Sequence, residues 1–201
     1  PEDFAGNALM PALGALARSQ PPLRLELTSG LSQAIWQQLQ AGELDLAIDY
    51  LHFDDDNLLY HPLGEQELVV IARRDHAVCA SGLTLARYED SQHVSVHARA
   101  GRGSPLEIVL GSAKVRRKVQ LYVPHYLAIP ALVARSDLLG TVPRQLAEHM
   151  AAQYNLALLP LPMEMPPVQV SLIWHKQQDM AVGLRWLKEQ IVAAFAEMHP
   201  T

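Results

Sequence analysis

The sequence lacks the features that membrane-spanning and disulfide-stabilised proteins need. Cys79 is the single cysteine among 201 residues, so no internal disulfide can form, and the chain fits a reducing, cytoplasmic compartment. The sequence leaves two interpretations of Cys79 open, a reactive thiol and a structural side chain. No stretch approaches the roughly 20 apolar residues that cross a bilayer, so we expect no membrane contact.

A targeting signal is also missing from the beginning of the chain. The first residues are Pro1, Glu2 and Asp3, with neither a basic start nor an apolar segment, so we expect no signal peptide. There is no initiator methionine either. This predicts that an upstream part of the protein precedes the chain.

Positive charge is scarce. The formal net charge is -5, whereas a domain that holds DNA by itself normally carries a basic stripe. The densest basic cluster, residues 114–118, is typical of a solvated strand entry. We therefore expect no DNA binding by this chain alone.

Catalytic and metal-binding motifs are absent as well. Residues 101–105 come nearest to a serine nucleophile elbow but do not match G-x-S-x-G. There is no H-E-x-x-H motif, no paired cysteine and no phosphate-loop lysine, and residues 54–57 lack the spaced ligands of a calcium loop. His93 and His97 share one face of a predicted strand, which indicates ordinary placement more than a metal site. We predict no catalytic residue, no metal and no cofactor.

What the chain does contain is an alternation of helical and strand patterns, with 49% hydrophobic residues to form a core. The most informative run is residues 40–48, where a helix ends at Gly42 and a short apolar strand follows. The patterns predict helices at residues 6–19, 32–42, 83–88, 106–110, 124–136, 143–150 and 182–198. They predict strands at residues 23–28, 44–48, 58–62, 67–73, 93–97, 115–123, 138–142 and 168–175. The fold class is therefore α/β.

The order of these elements predicts two lobes joined by a hinge. Residues 73–170 lie between two blocks whose strands would complete one sheet. Lobe I then consists of residues 1–72 and 171–201, and lobe II of residues 73–170. Such a crossing creates a cleft, and clefts between lobes are preferred sites for ligands.

Four places combine a strand end, a turn and a helix start. Helix amino termini leave backbone N–H groups free and carry partial positive charge, so their convergence would favour an anionic or polar small molecule. Arg102 can add a charge-assisted pair or remain a surface side chain, and His125 can contact a ligand or simply begin a helix. The candidate binding residues are Asp3, Phe4, Ser29, Gly30, Leu31, Ser32, Arg102 and His125.

Several of these motifs resemble the effector-binding domain of LysR-type transcriptional regulators. The run GELDLAI, residues 42–48, is similar to a family motif, and LVVIARRDH, residues 68–76, is similar to the stretch that crosses between the lobes. Residues 123–126 and 136–144 resemble the second lobe's helix and following strand. Together with Trp174, His175, Trp186 and Leu187, they are most similar to the nodulation and aromatic-degradation subgroup.

The resemblance implies a fold like that of type 2 periplasmic binding proteins, with Rossmann-like lobes and an effector in the cleft. It also implies homodimers or homotetramers. The helix around Ile35 would take part in pairing, with Trp36 either an exposed anchor or buried. The family's four binding loops map onto the candidate residues above, although Leu31 stands where a hydroxyl is usual. The winged helix-turn-helix that binds DNA, and the first strand of lobe I, are expected upstream.

Two other functions are compatible with a two-lobe scaffold. A solute-binding protein of a transporter would share the fold and the cleft, and would be recognised by a signal peptide in its gene. An enzyme would need a nucleophile, metal or cofactor signature, which the sequence does not provide. We therefore favour an effector-sensing regulatory domain and predict that the chain is not an enzyme.

Overall fold

The computed structural model describes residues 9–20, 22–28, 32–50, 52–96 and 115–196. The chain divides into two compact units, Pro1–Glu65 with Val168–Thr201 (unit 1) and Gln66–Pro167 (unit 2). These bounds differ from the expected ones by up to seven residues at each crossing. The difference arises because strand Leu68–Arg73 pairs on both sides with strands of unit 2, so the stretch assigned to the crossing lies inside that unit.

Unit 1 is built on a three-stranded sheet covered by helices. Its elements are helices α1 (Met10–Ser19) and α2 (Ser32–Ala41), strands β1 (Ala47–Asp49), β2 (Leu58–Gln66, which ends in unit 2) and β8 (Val168–His175), and helix α7 (Val182–Ala196). The strand order is β1-β8-β2, and β1 runs antiparallel to β8. Alternation along the central strand β8 directs Leu172 to a core with Phe195 and Ile173 to a core with Leu39.

Two expectations for unit 1 need correction. Residues 23–28 alternate like a strand, but the structure gives them no strand, and Leu27 is 53% exposed. Alternating apolar and polar residues give a segment one apolar side, but a β-strand also needs a neighbouring strand to which its backbone can hydrogen-bond. The strand expected at 44–48 is shorter and later, because Gly42, with φ +72°, and Glu43 bond back to α2 before the chain extends.

Trp36 of α2 is neither an exposed anchor nor fully buried. Its indole N–H donates to Asp55 Oδ2 at 2.9 Å, while its ring packs against the cluster of Leu39, Ala47, Leu58 and Ile173. The Asn57 backbone N–H donates to Oδ1 of the same carboxylate, and these bonds hold the pKa of Asp55 below its ordinary value. The acidic loop of residues 54–57, which leads into β2, is therefore hydrogen-bonded to α2 through Asp55.

Unit 2 is built on a five-stranded sheet. Its strands are β3 (Leu68–Arg73), β4 (Gln92–Val96), β5 (Lys118–Val123), β6 (Leu139–Pro143) and β7 (Leu156–Pro160). The order is β5-β4-β6-β3-β7, with β4 parallel to β5 and β6, and β3 antiparallel to β6 and β7. Its helices are α3 (Ala77–Ser81), α4 (Leu85–Asp90), α5 (Ile129–Val133) and α6 (Arg144–Tyr154).

Both faces of this sheet are covered. Helices α5 and α6 pack on one face, where Ile129 and Leu146 meet Val94 and Val142. Helices α3 and α4 pack on the other face, where Val78 and Tyr88 join the core around Val70 and Leu139. The sheet is mixed, and coverage on both faces is what its parallel half, strands β5, β4 and β6, requires, which leaves ligand access to the strand ends.

The sequence patterns located most of these elements and missed two. Strand β7 and helix α3 were not predicted, since β7 holds only five residues ending in Pro160 and α3 is one turn long. The helix expected at 106–110 lies outside the described residues. Among the residues that the structure describes, no helix combines the length and apolarity needed to cross a bilayer.

Candidate ligand-binding site

Three parallel strands of unit 2 end at one edge of the sheet. Strands β4, β5 and β6 finish at Val96, Val123 and Pro143, and Val96 lies directly beside Val123 in the register. We call this the carboxyl edge. In parallel α/β sheets, ligands bind outside the carboxyl ends of the strands, so this edge is the best-placed part of unit 2 for binding.

His125 lies two residues beyond the end of β5, at the carboxyl edge. It is exposed and keeps an extended backbone, and its carbonyl accepts a hydrogen bond from Ala128 N–H at 3.2 Å as a short 3-10 turn begins. Pro124 before it restricts the local backbone. The exposed residue therefore lies just beyond the end of β5, at a position where the sequence predicts a ligand contact.

Helix α6 begins at the same edge, directly after β6. Pro143 precedes its first residue, and no side chain caps the first turn. The Arg144 N–H donates to the Glu67 carbonyl at 2.9 Å, and its guanidinium meets the Glu67 carboxylate at 2.7 Å. The other first-turn N–H groups add partial positive charge to the carboxyl edge.

A chain of buried polar side chains crosses the α4 face of the sheet, behind the carboxyl edge. The Tyr88 hydroxyl lies 2.9 Å from Thr141 Oγ1, and the His93 ring meets the Tyr88 ring at 4.5 Å between centroids. Ser95 accepts a hydrogen bond from Arg117 at 3.3 Å. Tyr88 and His93 are fully buried, and Thr141 and Ser95 nearly so. We call these five residues the polar cluster.

Burial sets the protonation of this cluster. It lowers the pKa of His93 to about 4, with the nearby Arg117 charge acting in the same direction and the bond to the Tyr88 carbonyl opposing it. That 2.7 Å bond requires the N–H on Nε2, because a carbonyl can only accept. Burial also raises the pKa of Tyr88, against the effect of its Thr141 and Arg117 bonds. Both side chains are therefore neutral near pH 7.

In unit 1 the comparable position is the end of β1. Asp49 closes this strand, is 5% exposed, and accepts the Tyr50 N–H at 2.7 Å. Asp49 is not among the binding residues predicted from the sequence. The available signal was a carboxylate directly after the apolar run of GELDLAI, where a buried strand gives way to a loop.

Few of the predicted binding residues fall in the described part of the chain. His125 does, and Ser32 is the first residue of α2, although its side chain is not described. The remaining residues, Asp3, Phe4, Ser29, Gly30, Leu31 and Arg102, lie outside the described residues. Their convergence therefore stays a prediction.

The described residues provide no evident catalytic or metal chemistry. No group of three histidine, cysteine, aspartate or glutamate side chains is placed among them to hold a metal ion. His93 bonds to Tyr88, and its expected neighbour His97 lies outside the described residues. Burial raises the pKa of the Cys79 thiol, which disfavours the thiolate, and the sulfur lies 3.6 Å from the Arg73 carbonyl.

Comparison with known proteins gives a consistent result. Residues 1–196 match the model of the LysR substrate binding domain. The HTH-type transcriptional activator NahR of Pseudomonas putida is 29% identical over 97% of this chain and 65% of its own length. The chain therefore spans less than two thirds of that relative.

Solved structures agree with the sequence match. The probable transcriptional regulator PA0477 from Pseudomonas aeruginosa has a TM-score of 0.82 and 30% identity, covering 94% of this chain and 62% of its own. The effector binding domain of QuiR in complex with shikimate has a TM-score of 0.75 and 18% identity, covering 96% and 93%. The expected α/β fold of the type 2 periplasmic-binding-protein kind is confirmed, as is the resemblance on which it was based.

Proposed function

Because the chain belongs to the LysR substrate-binding-domain family, we propose that it is the effector-sensing and oligomerising part of a transcriptional regulator. The regulator would act in the cytoplasm and bind DNA through a separate amino-terminal domain. A small molecule, anionic or aromatic, would bind in the cleft between the two lobes. The observation that carries the proposal is the carboxyl edge of unit 2, where three parallel strands and a helix amino terminus meet.

Two further facts support ligand sensing. The effector binding domain of QuiR, which shares the fold, was solved with shikimate, and shikimate is a small carboxylate. The net charge of -5, together with the bonds that Arg117 makes to Ser95 and Lys118 to Asp90, argues against a DNA-binding surface on the described residues of this chain. These facts favour a regulator in which this chain senses the ligand and another domain contacts DNA.

The mechanism we propose is a population shift. An effector that binds better to one arrangement of the lobes favours that arrangement, by no more than its difference in affinity. In a homodimer or homotetramer, such a change would alter how the subunits pack and so how the DNA-binding domains are spaced. No bond is made or broken, and we propose that the chain is not an enzyme.

The proposed binding residues are Asp3, Phe4, Ser29, Gly30, Leu31, Ser32, Arg102 and His125. Arg102, in the Gly-rich loop predicted from the sequence, would pair with a carboxylate, and His125, which follows β5, would donate or accept a hydrogen bond. A hydrogen bond to a charged group contributes about 1.5–3 kcal/mol, so losing one should weaken binding about tenfold or more.

Isothermal titration of the chain with shikimate, benzoate and related small acids tests the proposal. Arg102→Ala and His125→Ala should each weaken binding of at least one acid about tenfold. Arg116→Ala and His149→Ala are matched controls on exposed positions and should leave affinity unchanged. Failure of every acid to bind refutes sensing of this ligand class, and equal behaviour of variants and controls refutes the assigned contacts.

The alternative of a transporter's solute-binding protein is not favoured. The relatives that the chain matches are transcriptional regulators, among them NahR and NagR.

Analytical ultracentrifugation tests the proposed oligomeric state. A regulator of this kind should be a dimer or tetramer, whereas a monomer at micromolar concentration would contradict that part of the proposal.

A further inference from the structure

Gln66 is the last residue of β2 and the first of unit 2, and it lies at the carboxyl edge of that unit. Strand β3 runs antiparallel to β6, and its first residue, Leu68, lies beside Pro143, the last residue of β6. The chain before Leu68 therefore continues past the end of β6, and Gln66 lies up to about 7 Å further along, at roughly 3.3 Å per residue. The bond from the Arg144 N–H to the Glu67 carbonyl holds this first crossing at the start of α6.

Gln66 is 8% exposed, and its side chain lies on the α3 and α4 side of the sheet. Side chains of β3 alternate, with Leu68 in the core under α3 and α4 and Val69 in the core under α5 and α6. The Glu67 carboxylate meets Arg144 of α6, so the alternation returns Gln66 to the side of Leu68. The side chains that follow β7 on this side are apolar and offer no oxygen: Leu161, Met163 and Met165.

The amide nitrogen of Gln66 is a buried donor to which no described residue offers an acceptor. Leaving a buried donor without an acceptor costs the free energy of removing it from water, whereas an apolar side chain of the same shape at such a position is nearly neutral or stabilising. Methionine or leucine would therefore fill this position without the cost. Folding alone does not explain an amide here.

Gln169, directly after the second crossing, has a contrasting environment. Its Nε2 donates to the Gly64 carbonyl at 2.9 Å and to the Val170 carbonyl at 3.1 Å. Backbone carbonyls next to a crossing can therefore satisfy a glutamine amide. Gln66 differs because its donor is buried where the described chain supplies no such oxygen, at the edge where a ligand is expected.

We propose that Gln66 is a specificity-determining hydrogen-bond donor for the effector, and that it selects organic carboxylates. The inference rests on the proposed function, because it assumes that the effector binds at the carboxyl edge. The donor is already buried, so a ligand oxygen gains the bond without the cost of removing the amide from water, and a charged oxygen gains most. Because the nitrogen is enclosed, the oxygen reaches it when the first crossing shifts, and binding favours the shifted state.

The test measures affinity and stability together on the full chain. Isothermal titration uses shikimate and benzoate, and urea unfolding is followed in unit 2 by hydrogen exchange of peptides from β3 and β6. Gln66→Met keeps the side-chain length without the donor, so it should weaken the acids about tenfold or more and raise the urea midpoint of the ligand-free chain. A merely structural residue would lower stability when replaced. Gln120→Met changes an exposed glutamine of unit 2 and should alter neither quantity.

The outcomes separate this inference from the proposed function. If Gln66→Met binds the acids as tightly as wild type, the inference is wrong and effector sensing is intact. A lower urea midpoint in Gln66→Met shows that the amide is bonded in the free protein, which also overturns the inference. If Gln66→Met does not fold, as judged by circular dichroism, Gln66→Glu serves instead. It replaces the donor with a carboxylate and should weaken benzoate more than benzamide, and equal weakening of the two overturns the inference. Absence of acid binding by the wild-type chain overturns both proposals.

Discussion

The buried imidazole of His93 should make the stability of unit 2 depend on pH. The side chain is fully buried and its pKa is about 4, compared with 6.5 for an exposed histidine. Between these values the unfolded chain binds a proton that the folded chain does not. Stability is therefore complete above about pH 6.5 and is lost as the pH falls towards 4.

The size of this effect follows from the difference in pKa. A shift of one unit corresponds to 1.36 kcal/mol, and the linkage relation gives a loss of about 2.5 kcal/mol between about pH 7.5 and pH 4.5. Carboxylates also titrate in this range, so the loss assigned to His93 is the difference between wild type and a variant that cannot titrate. His93→Gln is suitable, because its amide nitrogen can still donate to the Tyr88 carbonyl.

Urea unfolding at several pH values measures this difference. The chain's three tryptophans, Trp36, Trp174 and Trp186, all lie in unit 1, so their fluorescence does not report directly on His93. Hydrogen exchange of peptides from α4 and β4 follows unit 2, and far-UV circular dichroism follows the secondary structure of the whole chain. His149→Gln changes an exposed histidine of the same unit and is the control. Parallel losses of stability in wild type and His93→Gln would refute the reasoning.

Two other substitutions probe the packing of each unit. Gly140→Ala should destabilise unit 2 by about 1–3 kcal/mol in urea unfolding, because a Cβ there would crowd the side chain of Ile129, whereas Gly183→Ala has open space and should be neutral or slightly stabilising. Asp179→Asn should lower the urea midpoint seen by tryptophan fluorescence, since it removes the partner, at 2.7 Å, of the nearly buried ammonium of Lys188. Adding Lys188→Met should recover part of that loss, and an unchanged midpoint in the single variant would show that the ion pair contributes nothing.

The fold was predictable where the local sequence pattern agrees with the packing and strand pairing of the folded chain. Strand β8 was placed at its observed bounds, and Gly42 ends α2 with the expected left-handed backbone. Residues 23–28 show where local pattern is insufficient, because their alternation is as regular as that of β8, yet no neighbouring strand pairs with them in the described chain. The difference lies in the partner strand, which a local pattern does not contain.

The binding residues predicted from the sequence stay a prediction, and only the position of His125 can be compared with the described structure in full. Loops after strands and helix starts follow from element order, so His125 was found at the carboxyl edge. Thr141 and Ser95 carried no signal, because hydroxyl residues are equally common on exposed strands. Both are buried in unit 2, and Thr141 meets the Tyr88 hydroxyl at 2.9 Å because of how distant parts of the chain pair, which a local pattern does not contain.

The basic residues at positions 116–118 are placed differently from one another in the structure. From composition, residues 114–118 were expected to be a solvated strand entry, and for Arg116 and Lys118 that expectation holds. Successive side chains of an extended chain point to opposite sides, so three consecutive bases at a strand entry direct at least one of them towards the side that is covered. Here the inward base is Arg117, and the covered face leads to the carboxyl edge. The structure therefore separates one half-buried base, bonded to Ser95 of β4, from two exposed neighbours, which is a distinction that counting charges in the sequence does not make.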